Sequence, residues 1–473
     1  MLTVRMRHDE KLDRDSTTAL DPAPEARSDR ALAGPAQHPW RDEKSVLPDR
    51  PIAEPSGIAR TVIVTDANHS ISIPFIRSLG RRGWHVVAAS PERNSLGLRS
   101  RYAAHRLIYP SPGRQPAAFV EALAIAATHR RADLIMPLSE TAVVALTRHR
   151  NLLPRSVRVA MADSQAFEVA LDKRRTLALA LELSIPVPRT AVGFQVAHLV
   201  EEAARMHPPF VLKPSSPRRR IRGHSRLGTL HARDLHQVAS QAARLLPDDD
   251  GVLIQEFVPG HGVGVNLLMR DGRPVLAFQH RRLRELPVWG GASALRESVP
   301  LDPNLLSDAT ALLGALRWTG LAMVEFRVAQ DGYHLMEING RAWGSIALAV
   351  AAGVDFPAAA AELALEDGDD RPSATEGATP SPAIGQPAAP PPYEIGVRSR
   401  NLQLDVLWVV SVLARRPRQA ALPWPARRDA VRVLVQLLNP IIRFDVLSRD
   451  DPRPGAAEVL HIARHLIRQI VRR

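Results

Sequence analysis

Residues 324–341 read Val324-Glu-Phe-Arg-Val328-Ala-Gln-Asp-Gly332-Tyr333-His-Leu-Met-Glu-Ile338-Asn-Gly-Arg341. Two β-rich runs flank Gln330-Asp-Gly332, and Asp-Gly between such runs is a hairpin signal because it accepts the positive φ of a tight turn. Pairing across that turn sets Glu325 opposite or nearly opposite Glu337. Carboxylates opposed on one sheet face repel unless a cation lies between them. Asn339 stands two residues beyond Glu337, and side chains two apart on an extended segment share a face. Two carboxylates and an amide oxygen form a hard ligand set suited to Mg²⁺ shared with substrate phosphates. A lone strand Glu more often marks a solvated face; three such groups followed by Arg341 point to a phosphate site.

The basic residues narrow the search. The chain has 62 Lys and Arg, and beyond position 44 only Lys173 and Lys213 are lysine. A lysine ammonium is a compact point charge that presses on one phosphate oxygen, whereas Arg is a planar fork. Both lysines are therefore candidates for nucleotide phosphate contact.

Outward from the hairpin, the chain alternates strands with helices. Thr61-Val-Ile-Val-Thr65, Trp84-His-Val-Val-Ala-Ala89 and Leu134-Ile-Met136 read as buried strands, with helices over 71–82 and 116–131. That alternation predicts a parallel sheet covered by helices. The first strand-to-helix turn, Asp66-Ala-Asn-His-Ser-Ile71, has no glycine, so the domain is expected to be Rossmann-like without a bound dinucleotide. Further on, a helix over 166–183 lies between β-rich runs such as Phe210-Val-Leu-Lys213 and Val252-Leu-Ile-Gln-Glu-Phe257.

With these motifs in order, the chain resembles the ATP-grasp superfamily, and in particular its carboxylate-amine ligases and biotin carboxylase-like members. The family's late signature is Glu, about a dozen residues, then Glu-x-Asn-x-Arg; here it is Glu325, then Glu337-Ile-Asn339-Gly-Arg341. Upstream stand Asp172-Lys173, Val211-Leu-Lys213-Pro214 and Gln255-Glu256-Phe-Val-Pro-Gly260, in the family's order. The resemblance covers roughly residues 60–365. It implies an α/β chain: a disordered leader (1–58), a Rossmann-like pre-ATP-grasp domain (59–162), a two-subdomain α+β ATP-grasp domain (163–365), a Pro/Ala-rich linker (366–394) and a basic helical C-terminal region (395–473).

The resemblance also implies roles. Lys173 and Lys213 would contact the phosphates of ATP, and the hinge, with Gln255, Glu256, Phe257 and Val258, would hold the adenine edge. Glu325, Glu337 and Asn339 would hold two Mg²⁺ ions, with Mn²⁺ an acceptable substitute, and Arg341 would steady the transferred phosphoryl group or the bound carboxylate. Such a site suits ADP-forming ligation of a small-molecule carboxylate to an amine, or to a thiol, through an acyl phosphate; a non-catalytic ATP-binding regulator or scaffold is the alternative. Phosphoryl transfer needs positioning and charge neutralisation more than covalent help, which fits this residue set.

One stretch departs from the family. Where a glycine-rich lid is expected, Ser215-Ser-Pro-Arg-Arg-Arg-Ile-Arg-Gly-His224 carries four arginines and one glycine. It reads either as a guanidinium cover for phosphates or as a solvated basic loop. Between hinge and acids, His280, Arg282 and Arg296 are suited to hold a carboxylate or acyl phosphate, with Gly290-Gly291 allowing close backbone approach; an ordinary strand histidine and surface charges are the competing readings.

Bulk composition limits the rest. The 473 residues are 45% hydrophobic and 23% charged, a globular balance, and the absence of cysteine excludes disulfides, thiolate metal sites and cysteine nucleophiles. No apolar run approaches the ~20 residues of a membrane span, and Asp9, Glu10, Asp13 and Asp15 do not suit a transit peptide, so a cytoplasmic protein is expected. The net charge of +13 is concentrated late: residues 395–473 hold 15 arginines against six acids. Few aromatics accompany them, so no nucleic-acid partner is expected. Helices are expected over 402–414, 427–438 and 456–471, and in the last Val459, Ala463, Leu466, Ile467 and Ile470 make an apolar stripe. That stripe either packs on the catalytic body or lies on an anionic membrane. Oligomeric state is not legible.

Overall fold

A computed structural model of the chain describes residues 60–215, 228–248, 251–366, 392–414, 422 and 424–471. The leader, most of the arginine-rich stretch and most of the linker read from the sequence lie outside these residues. Everything described belongs to one compact unit.

The first sheet follows from fully buried apolar runs. Strands β1 (Thr61–Val64), β2 (His85–Ser90), β3 (His105–Ile108), β4 (Leu134–Met136) and β5 (Arg158–Val159) are parallel and ordered β3-β2-β1-β4-β5. Helices α1 (Ser72–Arg81), α2 (Pro116–Arg130) and α3 (Glu140–Arg148) connect them. Strands buried on both faces need near-continuous Val/Ile/Leu, which β1 and β4 supply.

The single helix expected over 166–183 is two. Helix α4 (Ser164–Leu171) stops at Asp172, whose extended backbone and side chain start α5 (Lys173–Glu182) by accepting the Arg174 N–H at 2.9 Å. An Asp N-cap outcompetes helix continuation because its carboxylate satisfies an otherwise orphaned N–H. Lys173 is thereby the first residue of a helix.

A four-stranded antiparallel sheet comes next: β6 (Thr190–Gly193), β7 (Phe210–Pro214), β8 (Leu230–Ala232) and β9 (Val252–Glu256), ordered β6-β9-β7-β8. Helices α6 (Val196–Ala204) and α7 (Leu235–Leu245) bury Leu199, Ala203, Val238 and Ala242 against it.

The third sheet has seven strands. Its antiparallel core is β10 (His261–Arg270), β11 (Arg273–Leu286), β12 (Ala292–Ser298), β13 (Gly320–Val328) and β14 (Tyr333–Asn339), with α8 (Pro303–Ala315), α9 (Ile346–Ala351) and α10 (Phe356–Glu366) around it. The expected hairpin is β13–β14, and in its register Glu325 faces Glu337 and Met323 faces Asn339.

The C-terminal region is not an appended helical body. β15 (Arg398–Arg400) pairs antiparallel with β12, β16 (Arg443–Phe444) pairs with β15, and both complete the third sheet. Helix α11 (Leu402–Leu413) follows β15, α12 (Arg427–Gln436) packs on α11, and α13 (Pro452–Val471) ends the chain. The anticipated stripe of α13 is not its packed face. Gly455, Glu458 and Ile462 are buried, whereas Val459, Ala463 and Ile467 are exposed. The reason lies at its start: the buried Asp451 carboxylate accepts from Arg77 Nε at 3.0 Å and Ser100 Oγ at 2.7 Å, fixing which side of the helix meets the body.

Candidate active site

The ends of β7, β9, β10, β13 and β14, the start of α5 and the turns after β1 and β4 enclose a cleft of about 990 Å³. Lys173, Lys213, the hinge 255–258, Glu325, Glu337, Asn339, Arg341 and Arg282 all line it.

One end of the cleft carries the two lysines. Lys173 Nζ donates to Glu337 Oε2 at 2.7 Å. Lys213, next to last in β7 and half-buried, has its pKa lowered to about 8, first by burial and then by Lys173, while Glu337 and Glu325 work the other way. A lysine so placed holds its proton weakly until an anion arrives.

The acidic pair is already charge-balanced. Arg282 reaches Glu325 with both terminal nitrogens, one at 2.8 Å to Oε1, and also donates to Glu285 Oε1 at 3.1 Å. Burial opposes the charge of Arg282, but Glu325 and Glu285 outweigh it and hold its pKa above the usual guanidinium value. For Glu325 the direction is up: burial leads, Glu337 adds, and Arg282 opposes. These directions favour different protonation states, and the two-pronged contact between them supports the ionised pair. Asn339 Nδ2 donates to Glu337 Oε1 at 3.3 Å, and Asn339 Oδ1 accepts from Arg341 Nη2 at 3.2 Å. Glu325, Glu337 and Asn339 thus supply hard oxygens on one patch of sheet, which fits Mg²⁺, provided Lys173, Arg282 and Arg341 yield their oxygens to the metal.

The hinge is braced from behind. Gln255 Nε2 donates to Thr190 Oγ1 at 2.9 Å, and the Glu256 carboxylate turns outward to accept the His207 N–H at 2.9 Å. The Phe257 N–H bonds Pro209 O, while Arg327 Nε holds Val258 O at 3.0 Å. Among the described residues the Val258 N–H has no partner, leaving one backbone donor for a ligand edge. His231, whose ring centroid lies 6.1 Å from Phe257 and 5.6 Å from Trp289, has its pKa lowered to about 4 by burial, Lys213 and Arg327, and is therefore a neutral ring.

Two sequence candidates are placed elsewhere. Arg296 is fully buried, bridges to Asp445 in the C-terminal region and does not line the cleft. The strand β15 covers the edge of β12, which turns Arg296 into an interior charge. His280 is also buried: Asn266 Nδ2 lies 3.0 Å from its Nδ1 and Ser345 Oγ 3.1 Å from its Nε2. Asn266 Nδ2 also faces the carbonyls of Gly264 and Phe278, which fixes it as the amide nitrogen. His280 Nδ1 therefore accepts and Nε2–H donates to Ser345, so the ring orients Ser345, which lines the cleft, and does not itself face a ligand.

Several lining residues escaped the sequence reading. Glu140, at the first position of α3, accepts from Arg341 Nη2 at 3.1 Å; Glu285 braces Arg282 and Arg327; Asn401 Nδ2 ties the start of α11 to Ser70 Oγ at 3.1 Å. Glu140 follows Ser139, whose hydroxyl accepts the Ala142 N–H, so a cap signal did mark that spot.

Comparison with known proteins agrees with this layout. A family described as ATP-grasp in the biosynthetic pathway with Ter operon matches residues 248–382. No curated protein sequence matches the chain. Among solved structures, an N5-carboxyaminoimidazole ribonucleotide synthetase in complex with ADP superposes at a TM-score of 0.55 and 14% identity, covering 80% of this chain and 96% of that one. Biotin carboxylase from Campylobacter jejuni gives 0.52 at 15% identity, over 65% of this chain and 71% of the other. The chain has the ATP-grasp fold.

Proposed function

We propose that the chain is an ATP-dependent ligase that joins a carboxylate to an amine, or to a thiol, with release of ADP and phosphate. The single observation that supports this most is the register of β13 and β14, which sets Glu325 against Glu337 in the cleft that also holds Lys173 and Lys213. In this reading the 59–162 segment is a Rossmann-like pre-ATP-grasp domain and 163–365 the catalytic domain. Lys173 and Lys213 bind the phosphates, and Val258 meets the adenine edge. Two Mg²⁺ ions, held by Glu325, Glu337 and Asn339, would neutralise charge on the transferred phosphoryl group.

A substrate carboxylate oxygen takes the γ-phosphoryl group as the bond to ADP breaks. The amine then displaces phosphate from the acyl phosphate and gives up a proton. In this reading Arg341, which pairs with Glu140 in the cleft lining, steadies the transferred phosphoryl group or the bound carboxylate. The test is coupled ADP and phosphate release across pairs of carboxylates and amines with ATP and Mg²⁺. Release that needs both substrates and the metal supports the reading; AMP and pyrophosphate as products contradict it.

A second reading has its own observation. Arg282 occupies both Glu325 oxygens, and a guanidinium that stays there excludes a metal, leaving a nucleotide-binding protein without turnover. Equal ATP affinity with and without Mg²⁺, together with no turnover on any pair, would favour it.

A further inference from the structure

Helix α12 has one face that packs and another that faces solvent with the wrong chemistry for it. Ala430 and Val433 are buried against Trp408, Val409 and Val412 of α11, beside Leu286 and Val288. The adjoining face carries Val431, Leu434 and Val435, and the aliphatic run continues past the helix end through Leu438 and Ile441. Val435 is 65% exposed, Leu438 85% and Ile441 78%. Residues 431, 434 and 435 share a face at the helical period of 3.6. Isolated exposed aliphatics need no explanation, whereas a run of five does.

The charges around this run are predominantly positive. Arg427 and Arg428 at the helix start, Arg432 on its flank and Arg443 just beyond Ile441 are all exposed. The one acid on the helix, Asp429, is spent locally: it accepts the Ala426 N–H at 3.0 Å and pairs with Arg432 at 3.3 Å. Among the described residues no helix is long and apolar enough to cross a membrane, so this is a question of lying on a surface.

We propose that this face of α12, with the turn through Ile441, docks the protein on an anionic phospholipid surface. Protruding aliphatics enter the boundary between headgroups and acyl chains, and the flanking guanidiniums meet lipid phosphates. A second copy of the chain fits less well, because a twofold contact across this face brings the arginines of both copies together. A nucleic acid uses the arginines but gives five aliphatics nothing to bury against. The proposal does not depend on catalysis.

The full-length chain is sedimented with vesicles of phosphatidylcholine alone and of phosphatidylcholine with about 30 mol% phosphatidylglycerol. Binding is expected on the anionic vesicles, weaker by at least about tenfold on neutral ones and reduced by salt. Leu438→Glu with Ile441→Glu, both at exposed positions, is expected to cut binding at least about tenfold while the circular dichroism spectrum is unchanged. Arg427→Glu with Arg428→Glu gives the same loss without touching an aliphatic and stands in if the first pair unfolds. A wild-type chain that ignores anionic vesicles overturns the proposal, as does variant binding equal to wild type. A wild-type dimer in size exclusion that the Leu438→Glu/Ile441→Glu pair dissociates, with no vesicle binding, assigns the face to a second copy instead.

Discussion

Lys173 Nζ and Glu337 Oε2 meet at 2.7 Å, although one opens helix α5 and the other lies near the end of β14. The contact links the N-terminal side of the cleft to its acidic hairpin. It also keeps Glu337 charge-balanced without a metal, so in the proposed reading nucleotide and Mg²⁺ binding would amount to an exchange of cation partners.

Replacing Lys173 with Met tests that exchange. Both side chains are partly exposed, so the ion pair itself contributes little to stability, about 1 kcal/mol or less. The proposed phosphate contact is another matter, because it would be charge-assisted and made inside the cleft. ATP affinity by calorimetry is expected to fall at least about tenfold, with chemical denaturation nearly unchanged. Unchanged affinity would remove Lys173 from the phosphate site.

Lys213 makes a pH prediction. Its pKa, lowered to about 8 by burial and by Lys173, means that the free protein loses this charge as pH rises through that value. Bound phosphates favour the charged form, so affinity for ATP is full below about pH 8 and declines above it, by up to about tenfold per pH unit, until the pKa of the bound state is reached. Lys213→Arg stays charged and is expected to abolish the break while lowering affinity throughout, because a planar fork does not replace a point charge. Affinity measured from pH 6.5 to 10 decides it; a break that persists in the variant belongs to another group.

The hairpin, and the meeting of both lysines with residues 255–258 at one cleft, were legible because their signals are local: a turn dipeptide, a Lys-Pro strand end and period-two faces. What failed was nonlocal. Nothing around Arg296 announces that Arg398–Arg400, far along the chain, will cover the β12 edge and turn Arg296 into an interior partner of Asp445. His280 alternates correctly along β11, yet the side of the sheet it faces is closed by Ser345 and Asn266. The stripe assigned to α13 obeyed helical periodicity, but Asp451, bonded to Arg77 and Ser100, sets which side packs.

Arg282 and Arg296, residues of one sequence cluster, should therefore respond differently to loss of charge. Arg296→Met leaves Asp445 buried without its cation, which costs about 3–5 kcal/mol, while ATP affinity in the surviving fold is retained. Arg282→Met frees the Glu325 oxygens and is expected to tighten Mg²⁺ binding severalfold in the absence of nucleotide. Denaturation curves and metal titration separate the two; if Arg282→Met weakens Mg²⁺ binding, Glu325 is not a metal ligand competed for by that guanidinium.

Glu458 supplies the last test, on the packed face of α13. It is buried, and its carboxyl is pushed up to about 7, first by burial and then by Asp445, against the pull of Arg77. Its ordinary value is 4.5, so between those limits the folded chain keeps a proton that the unfolded chain has released. Stability from this group therefore falls as pH rises from about 4.5 to about 7, and above that the cost of a buried carboxylate is complete. Glu458→Gln keeps the shape of the neutral acid and removes the titration. At pH 8 the variant is expected to be more stable than wild type by on the order of 2–3 kcal/mol, and near pH 4 the two should coincide. Urea denaturation at both pH values measures the difference. Equal stabilities at pH 8 would show that the Glu458 carboxylate finds solvent or a cation in the folded chain, and that α13 is packed less tightly than its buried face indicates.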